Sequence, residues 1–285
     1  MTDVALAVLG GMVAGLLTLA AMRPMFAQPL FARENHRGHV LPTAVGLVVP
    51  IALLGIEAVL ALIALGVRRE NVGMDGARQM TFLLVVGLGL LGMVDDLAGS
   101  GDVRGFRGHL AALREGRLTT GGLKLVGGGC VALVVCAPYA GLGNRSALHV
   151  IRDASLVALA ANLGNLLDRA PGRVLKVSAI AFVAVGVTAS YESALVGPAF
   201  VFGISLILLG GDLREQFMLG DTGANVLGGV LGLALVMATS PPVRLVALVV
   251  VLLLNLASER VSFSKVIEAV GALRALDRLG RRPYP

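Results

Sequence analysis

The sequence predicts an all-α, polytopic integral membrane protein, a helical bundle of about nine transmembrane helices. Of its 285 residues, 56% are hydrophobic and only 15% charged, with a mean hydropathy of +0.85. So few charges cannot solvate the surface of an ordinary soluble domain. The apolar residues also fall into repeated runs of about 17–25 residues, the length a helix needs to cross a bilayer. The distribution of Lys and Arg then predicts the orientation.

The predicted spans are 3–22, 43–66, 79–94, 121–139, 147–163, 174–190, 193–210, 223–239 and 242–257. The first lies in "MTDVALAVLGGMVAGLLTLAAMRPM". Its first charge is Asp3 and Arg23 follows the apolar run, so it reads as a span rather than a cleaved leader. The second span contains Glu57, an ionisable group that is expensive in hydrocarbon and is expected in an interhelical hydrogen bond. Cys130 and Cys136 share the fourth span. Six residues apart, they point to different faces and cannot pair, so both are expected to be buried and inert. Gly228 and Gly229 in the eighth span read as sites of close helix packing. The last segment, "SERVSFSKVIEAVGALRALDRLGRRP", puts Val261, Phe263, Val266, Ile267, Val270, Leu273 and Leu276 on one helical stripe. It is expected to lie on the inner leaflet or to pack against the cytoplasmic loops. The chain thus divides into a membrane domain, 1–257, and an amphipathic tail, 258–285.

With the N-terminus outside, 18 of the 24 Lys and Arg fall in inner segments. Outside remain Arg68, Arg69, Arg78, Arg145, Arg152 and Arg244. That asymmetry predicts an outer N-terminus and an inner C-terminus. It also accounts for the net charge of +6 without a nucleic-acid partner. Asp95, Asp96, Asp168 and Asp221 then all lie on the cytoplasmic side, each where a span meets an inner loop.

These acids carry the candidate chemistry. In "GMVDDLAGS" two adjacent carboxylates close a helix, where mutual repulsion and the helix dipole both disfavour them. A nearby cation relieves this, and Mg²⁺ commonly takes one or two carboxylates plus waters and phosphate oxygens. In "GDTGAN", Asp221 precedes a helix start, with Thr222 as a candidate cap and backbone N–H groups suited to phosphate. Gly220 and Gly223 are assigned to that function. His36, His39, His109 and His149 are dispersed and read as solvated loop residues. Arg33 and Arg37 suit phosphate, or follow the positive-inside bias alone.

The order and spacing of "GMVDDLAGS", "NLGNLLDRAPGR" and "FMLGDTGANVLGG", with "RENHRGHVLPTAVG" before them, resemble the polyprenyl-phosphate N-acetylhexosamine-1-phosphate transferases. That family includes the phospho-N-acetylmuramoyl-pentapeptide translocase of peptidoglycan synthesis. The resemblance covers roughly residues 33–230. It implies a multi-pass enzyme of the bacterial inner membrane, with a cytoplasmic active site, working in cell-wall biogenesis. Such an enzyme moves a sugar-1-phosphate from a UDP-sugar to undecaprenyl phosphate, releases UMP and needs Mg²⁺. By the same resemblance Asp95 and Asp96 serve metal binding and activation of the lipid phosphate, and Asp221 is a metal ligand. Asn162, Asn165 and Asp168 line the nucleotide-sugar site, and Arg37, Gly220 and Gly223 contact substrate. The implied partners are the lipid, the nucleotide sugar and the membrane, with a second copy of the chain as a further candidate.

The pattern departs from the family at several positions. Arg169 and Pro171 stand where a glycine and a second acid are usual. Met218 replaces an aromatic, with Phe217 one position earlier, and no His follows His149. The relatives' tenth span has no counterpart. These changes fall on base and sugar recognition, whereas the metal-site acids are present, so altered donor use is expected. The alternatives are a relative that binds the lipid carrier as a scaffold or regulator without transfer, and an anion transporter. A transporter is expected to hold charges near the bilayer midplane.

Overall fold

The computed structural model describes residues 1–35, 37–67, 74–99, 108, 112, 114–140 and 147–282. About 80% of the described residues are helical. Its long helices are α1 (Thr2–Phe26), α2 (Val48–Val67), α3 (Gly76–Ala98), α4 (Thr120–Cys136), α5 (Ala147–Leu167), α6 (Arg173–Thr188), α7 (Val196–Leu213), α8 (Asp221–Ala238) and α9 (Pro241–Ser258). A helix therefore stands at each predicted span. Among the described residues, seven are long and apolar enough to cross a membrane; α4, with 17 residues, and α6, with 16, fall short of that length.

Local chemistry sets several of the starts. Asp75 caps α3 by accepting from the Arg78 N–H at 2.8 Å, and Thr119 caps α4 by accepting from the Gly122 N–H at 3.0 Å. Such caps satisfy amides that have no intrahelical partner. Two prolines open α9, where a missing N–H costs nothing.

Small residues bring the helices together at backbone distance. α8 is the central post, with 72% of its residues buried. A Cβ on Gly228 would stand 2.1 Å from the Ala160 carbonyl oxygen of α5, and one on Gly92 of α3 would stand 2.5 Å from the Asp221 carbonyl. α1 meets α7 in the same way, through Gly11 and Gly203. In a membrane, where apolar burial gives no advantage over lipid, such contact supplies packing energy. Gly228 and Gly229 are packing residues, as their sequence context predicts.

Four features differ from expectation. A two-stranded antiparallel ribbon, β1 (Ala32–Glu34) and β2 (Val40–Pro42), follows α1. The Asn35 side chain nucleates its turn by accepting from the Arg37 and His39 amides, and Gly38 takes the required positive φ of 76°. Arg78, placed by sequence in an outer loop, lies inside α3 and forms a buried ion pair with Glu57 of α2. Glu57 thus makes the interhelical contact expected of it, with a cation as partner. Cys130 is exposed on the bundle's outside rather than buried; Cys136 is buried, and both are free.

The tail is not one continuous stripe. Val270, with extended backbone, breaks it into α10 (Phe263–Ala269) and α11 (Gly271–Arg278). Arg173 at the start of α6 donates to Asp277 at 2.8 and 3.1 Å, and Arg281 donates to the Pro171 carbonyl at 2.8 Å. The Lys176 ammonium donates to the carbonyls of Leu276, Asp277 and Leu279. It thereby satisfies the open C-terminal end of α11. His36 and His109 lie outside the described residues, as do Arg68, Arg69, Arg104, Arg107 and Arg145.

Candidate functional site

The C-terminal ends of α3 and α5 and the N-terminal ends of α4 and α8 meet at one end of the bundle. Three of the predicted acids converge there. The Lys124 ammonium, on the first turns of α4, donates to Asp95 Oδ2 at 2.9 Å and forms a second, short contact with Asp221 Oδ2. The shared ammonium brings the two carboxyl groups together. Asn165 of α5 completes the cluster. With its amide in the orientation that satisfies both neighbours, its nitrogen donates to Asp221 Oδ1 at 2.6 Å and its oxygen accepts from Lys124 at 3.0 Å. Four helices therefore contribute one polar side chain each, all partly shielded from solvent.

Asp96 has a different task from its neighbour. Its Oδ1 accepts from the Asp221 N–H at 2.9 Å, and its Oδ2 accepts from the Thr222 N–H at 3.0 Å and the Thr222 hydroxyl at 2.6 Å. The cap of α8 is therefore a carboxylate from another helix, not the Thr222 side chain that local sequence suggests. An anion at the positive end of a helix dipole is stabilised by it. The same bonds lock α3 to α8 and so fix Asp95 against Asp221.

The two glycines owe their identity to this junction. Gly220 has φ of 74°, and a Cβ there would lie 2.5 Å from Asp96 Oδ2. Gly223 packs on the Gly46 backbone, where a Cβ on Gly46 would stand 2.3 Å from the Gly223 nitrogen. Gly223, expected to contact substrate, is thus committed to a backbone contact.

Asp168 sits just beyond α5 in the loop before α6. Burial raises its carboxyl well above the ordinary carboxylate value, and the charges of Asp212, Asp221 and Asp96 add to the effect. It follows Asn165 of the cluster by three residues along the chain. Its loop is held from α7, where buried Asp212 accepts from the Gly172 N–H at 2.6 Å while Gly172 takes φ of 69°. Two other expected residues are engaged elsewhere. Asn162 donates to Asn255 of α9 at 2.6 Å and is exposed on the bundle side. Arg37 pairs with Glu215 at 3.1 Å, bracing the ribbon against the segment between α7 and α8.

Among the described residues, no three His, Cys, Asp or Glu side chains form a metal-ligating group. The donor set is nevertheless compatible with Mg²⁺. Two carboxylates and an amide oxygen surround a position held by the Lys124 ammonium, and Mg²⁺ sites commonly draw no more than that from protein. Lys124 itself, Asp212, Thr222 and Asn255 were not singled out by sequence as site residues. Lys124 carries a weak signal in hindsight, as a lone cation inside an apolar helix. No protein-family model and no curated protein matches the chain.

Proposed function

We propose that the protein transfers a sugar-1-phosphate from a UDP-sugar to undecaprenyl phosphate, at the cytoplasmic face of the bacterial inner membrane. The observation that carries this reading is the convergence of Asp95 and Asp221 about one cation, at one end of helices built to span a bilayer. A water-soluble diphosphate and a lipid-borne phosphate can both reach such a position. In the reaction an oxygen of the lipid phosphate attacks the sugar-linked phosphorus, a new P–O–P linkage forms, and the bond to UMP breaks. Two anions must approach each other, so positive charge is the first requirement of the site. Lys124 supplies it from the protein, and its pairing with Asp95 and Asp221 holds the ammonium in place. Mg²⁺ taken up by Asp95 and Asp221 would displace the Lys124 ammonium from between them, and the two cations together would neutralise further phosphate charge. Asn165 orients Asp221, and Asp168 borders the donor side.

Purified protein in nanodiscs, given undecaprenyl phosphate, Mg²⁺ and a panel of nucleotide sugars, is expected to release UMP. Asp221→Asn is expected to abolish release while the protein stays folded, because loss of one acid also relieves repulsion. Undiminished turnover by Asp221→Asn refutes the assignment.

A second reading, lipid-carrier binding without transfer, has its own support. Lys124 already satisfies both acids, and the loop after Asp168 is engaged by Asp212 and Arg281. Saturable binding of undecaprenyl phosphate, with no UMP released from any donor, selects it.

A further inference from the structure

We infer that α10 and α11 form an interfacial platform whose partner is an anionic phospholipid surface, and that this platform holds the loop carrying Asp168. The inference does not depend on the proposed transfer activity. Its first support is an exposed apolar face. Val261, Val266, Val270, Leu273, Leu276 and Leu279 are between 40 and 65% exposed, in a segment that follows directly on α9. On α11, Leu273 and Leu276 lie on one side and Arg274 and Arg278, four residues apart, on another.

Continuity shows what covers that face. Ile267, Leu273 and Leu276 line a small groove of about 60 Å³ with Val177 of α6, and Arg173, Lys176 and Asp277 also border it. Val177 begins the exposed stripe Val177, Ile180, Val183 and Val187 along α6. The apolar face of the tail thus extends a helix side built from the same lipid-compatible residues. The groove has room for an acyl methylene or two beside α6, and its charged groups are engaged, Arg173 by Asp277 and Lys176 by the carbonyls of α11.

Charge specifies the headgroup. From Glu259 to Arg282 the segment has six Lys and Arg against three acids. Asp277 is buried and paired with Arg173 and Arg281, and Glu268 is paired with Arg278. Arg260 and Lys265 are exposed. An apolar face beside basic residues binds anionic bilayers by burial and attraction together. Arg173 and Arg281 then link the platform to the 168–172 loop through Asp277 and the Pro171 carbonyl.

The test uses the full chain with Cys130 and Cys136 replaced by Ala and a spin label at Leu273→Cys or Arg274→Cys. The protein is placed in nanodiscs of phosphatidylcholine, alone or mixed with phosphatidylglycerol. Position 273 is expected to collide several-fold more with oxygen than with a nickel chelate, and position 274 the reverse. Phosphatidylglycerol should widen the contrast at 273. Arg260→Glu with Lys265→Glu should remove the phosphatidylglycerol effect while the chain still runs as a single species. Equal nickel access at 273 and 274 in both lipids, as for a face turned to water or to a soluble partner, overturns the inference. So does a phosphatidylglycerol effect that survives the double charge reversal.

Discussion

Lys124 and Asp168 show how differently single residues can be read. In "TTGGLKLVGGG" nothing marks Lys124 as more than one cation among those favouring the inner side, because its partners lie 29 and 97 residues away. Asp95 and Asp221 were legible because acids at the ends of apolar runs need a reason. The ion that satisfies them was expected to be a metal, and the chain also supplies an ammonium. Asp168 allows a test of electrostatics. Its carboxyl, raised by burial and by Asp212, Asp221 and Asp96, holds its proton in the folded state at pH values where the unfolded chain has lost it. The fold binds the extra proton, so this group's contribution is most favourable below the unfolded value and erodes as pH rises towards the folded one. Asp168→Asn removes that erosion. It is expected to raise the melting temperature more at pH 8 than at pH 5 (about 4 and 1 units above the ordinary Asp value), measured by scanning fluorimetry in detergent. An equal shift at both pH values contradicts the placement of Asp168 among acids.

At the scale of elements, helix positions were readable and helix contacts were not. Hydrophobic run length gives the first, but partner choice depends on which small residues face each other across the bundle. "NVLGGVLG" signals close packing without saying that Ala160 and Gly164 of α5 are the surface packed against. The tail shows the opposite failure. Its stripe is real in sequence, yet Val270 interrupts the helix, because the first turns of α6 bind α11 through Asp277. Gly228→Val is expected to destabilise by about 3 kcal/mol, since overpacking at a backbone contact forces α5 and α8 apart. The readout is a lower melting temperature or a loss of monodisperse yield. Gly210, where a Cβ meets nothing within 4 Å, is the control, and Gly210→Ala should be neutral. Equal tolerance at both glycines contradicts the α5–α8 interface.

For the whole molecule, charge placement predicts an orientation, and the structure shows which of the counted cations are paired. Arg78 is paired with Glu57, and the half-buried Arg152 and buried Arg244 share buried Asp153. Three of the six cations assigned outside are thus neutralised within the bundle, at the end of α3 and α5 remote from Lys124. The asymmetry of solvated charge is steeper than composition alone suggests. Cysteines placed at Gly73 and Gly101, both outside the described residues, should react oppositely with an impermeant maleimide on intact cells. Position 73 is expected to label and position 101 to stay protected. Labelling at 101 reverses the orientation and removes the site from the cytoplasm.

The order of the helices along the chain has a consequence for synthesis. The central post, α8, is the eighth long helix to be made, yet Gly92 on α3 is shaped to receive its first residues. About 130 residues separate those surfaces, so α3 waits roughly 6–26 s at about 5–20 residues per second before its partner emerges. Until then the glycine surface of α3 lacks its partner, and of the residues that meet Asp95 in the fold Lys124 is the cation already made. Both members of that ion pair are present once α4 is made. Lys124 therefore shields the nascent protein well before Asp221 exists to share it.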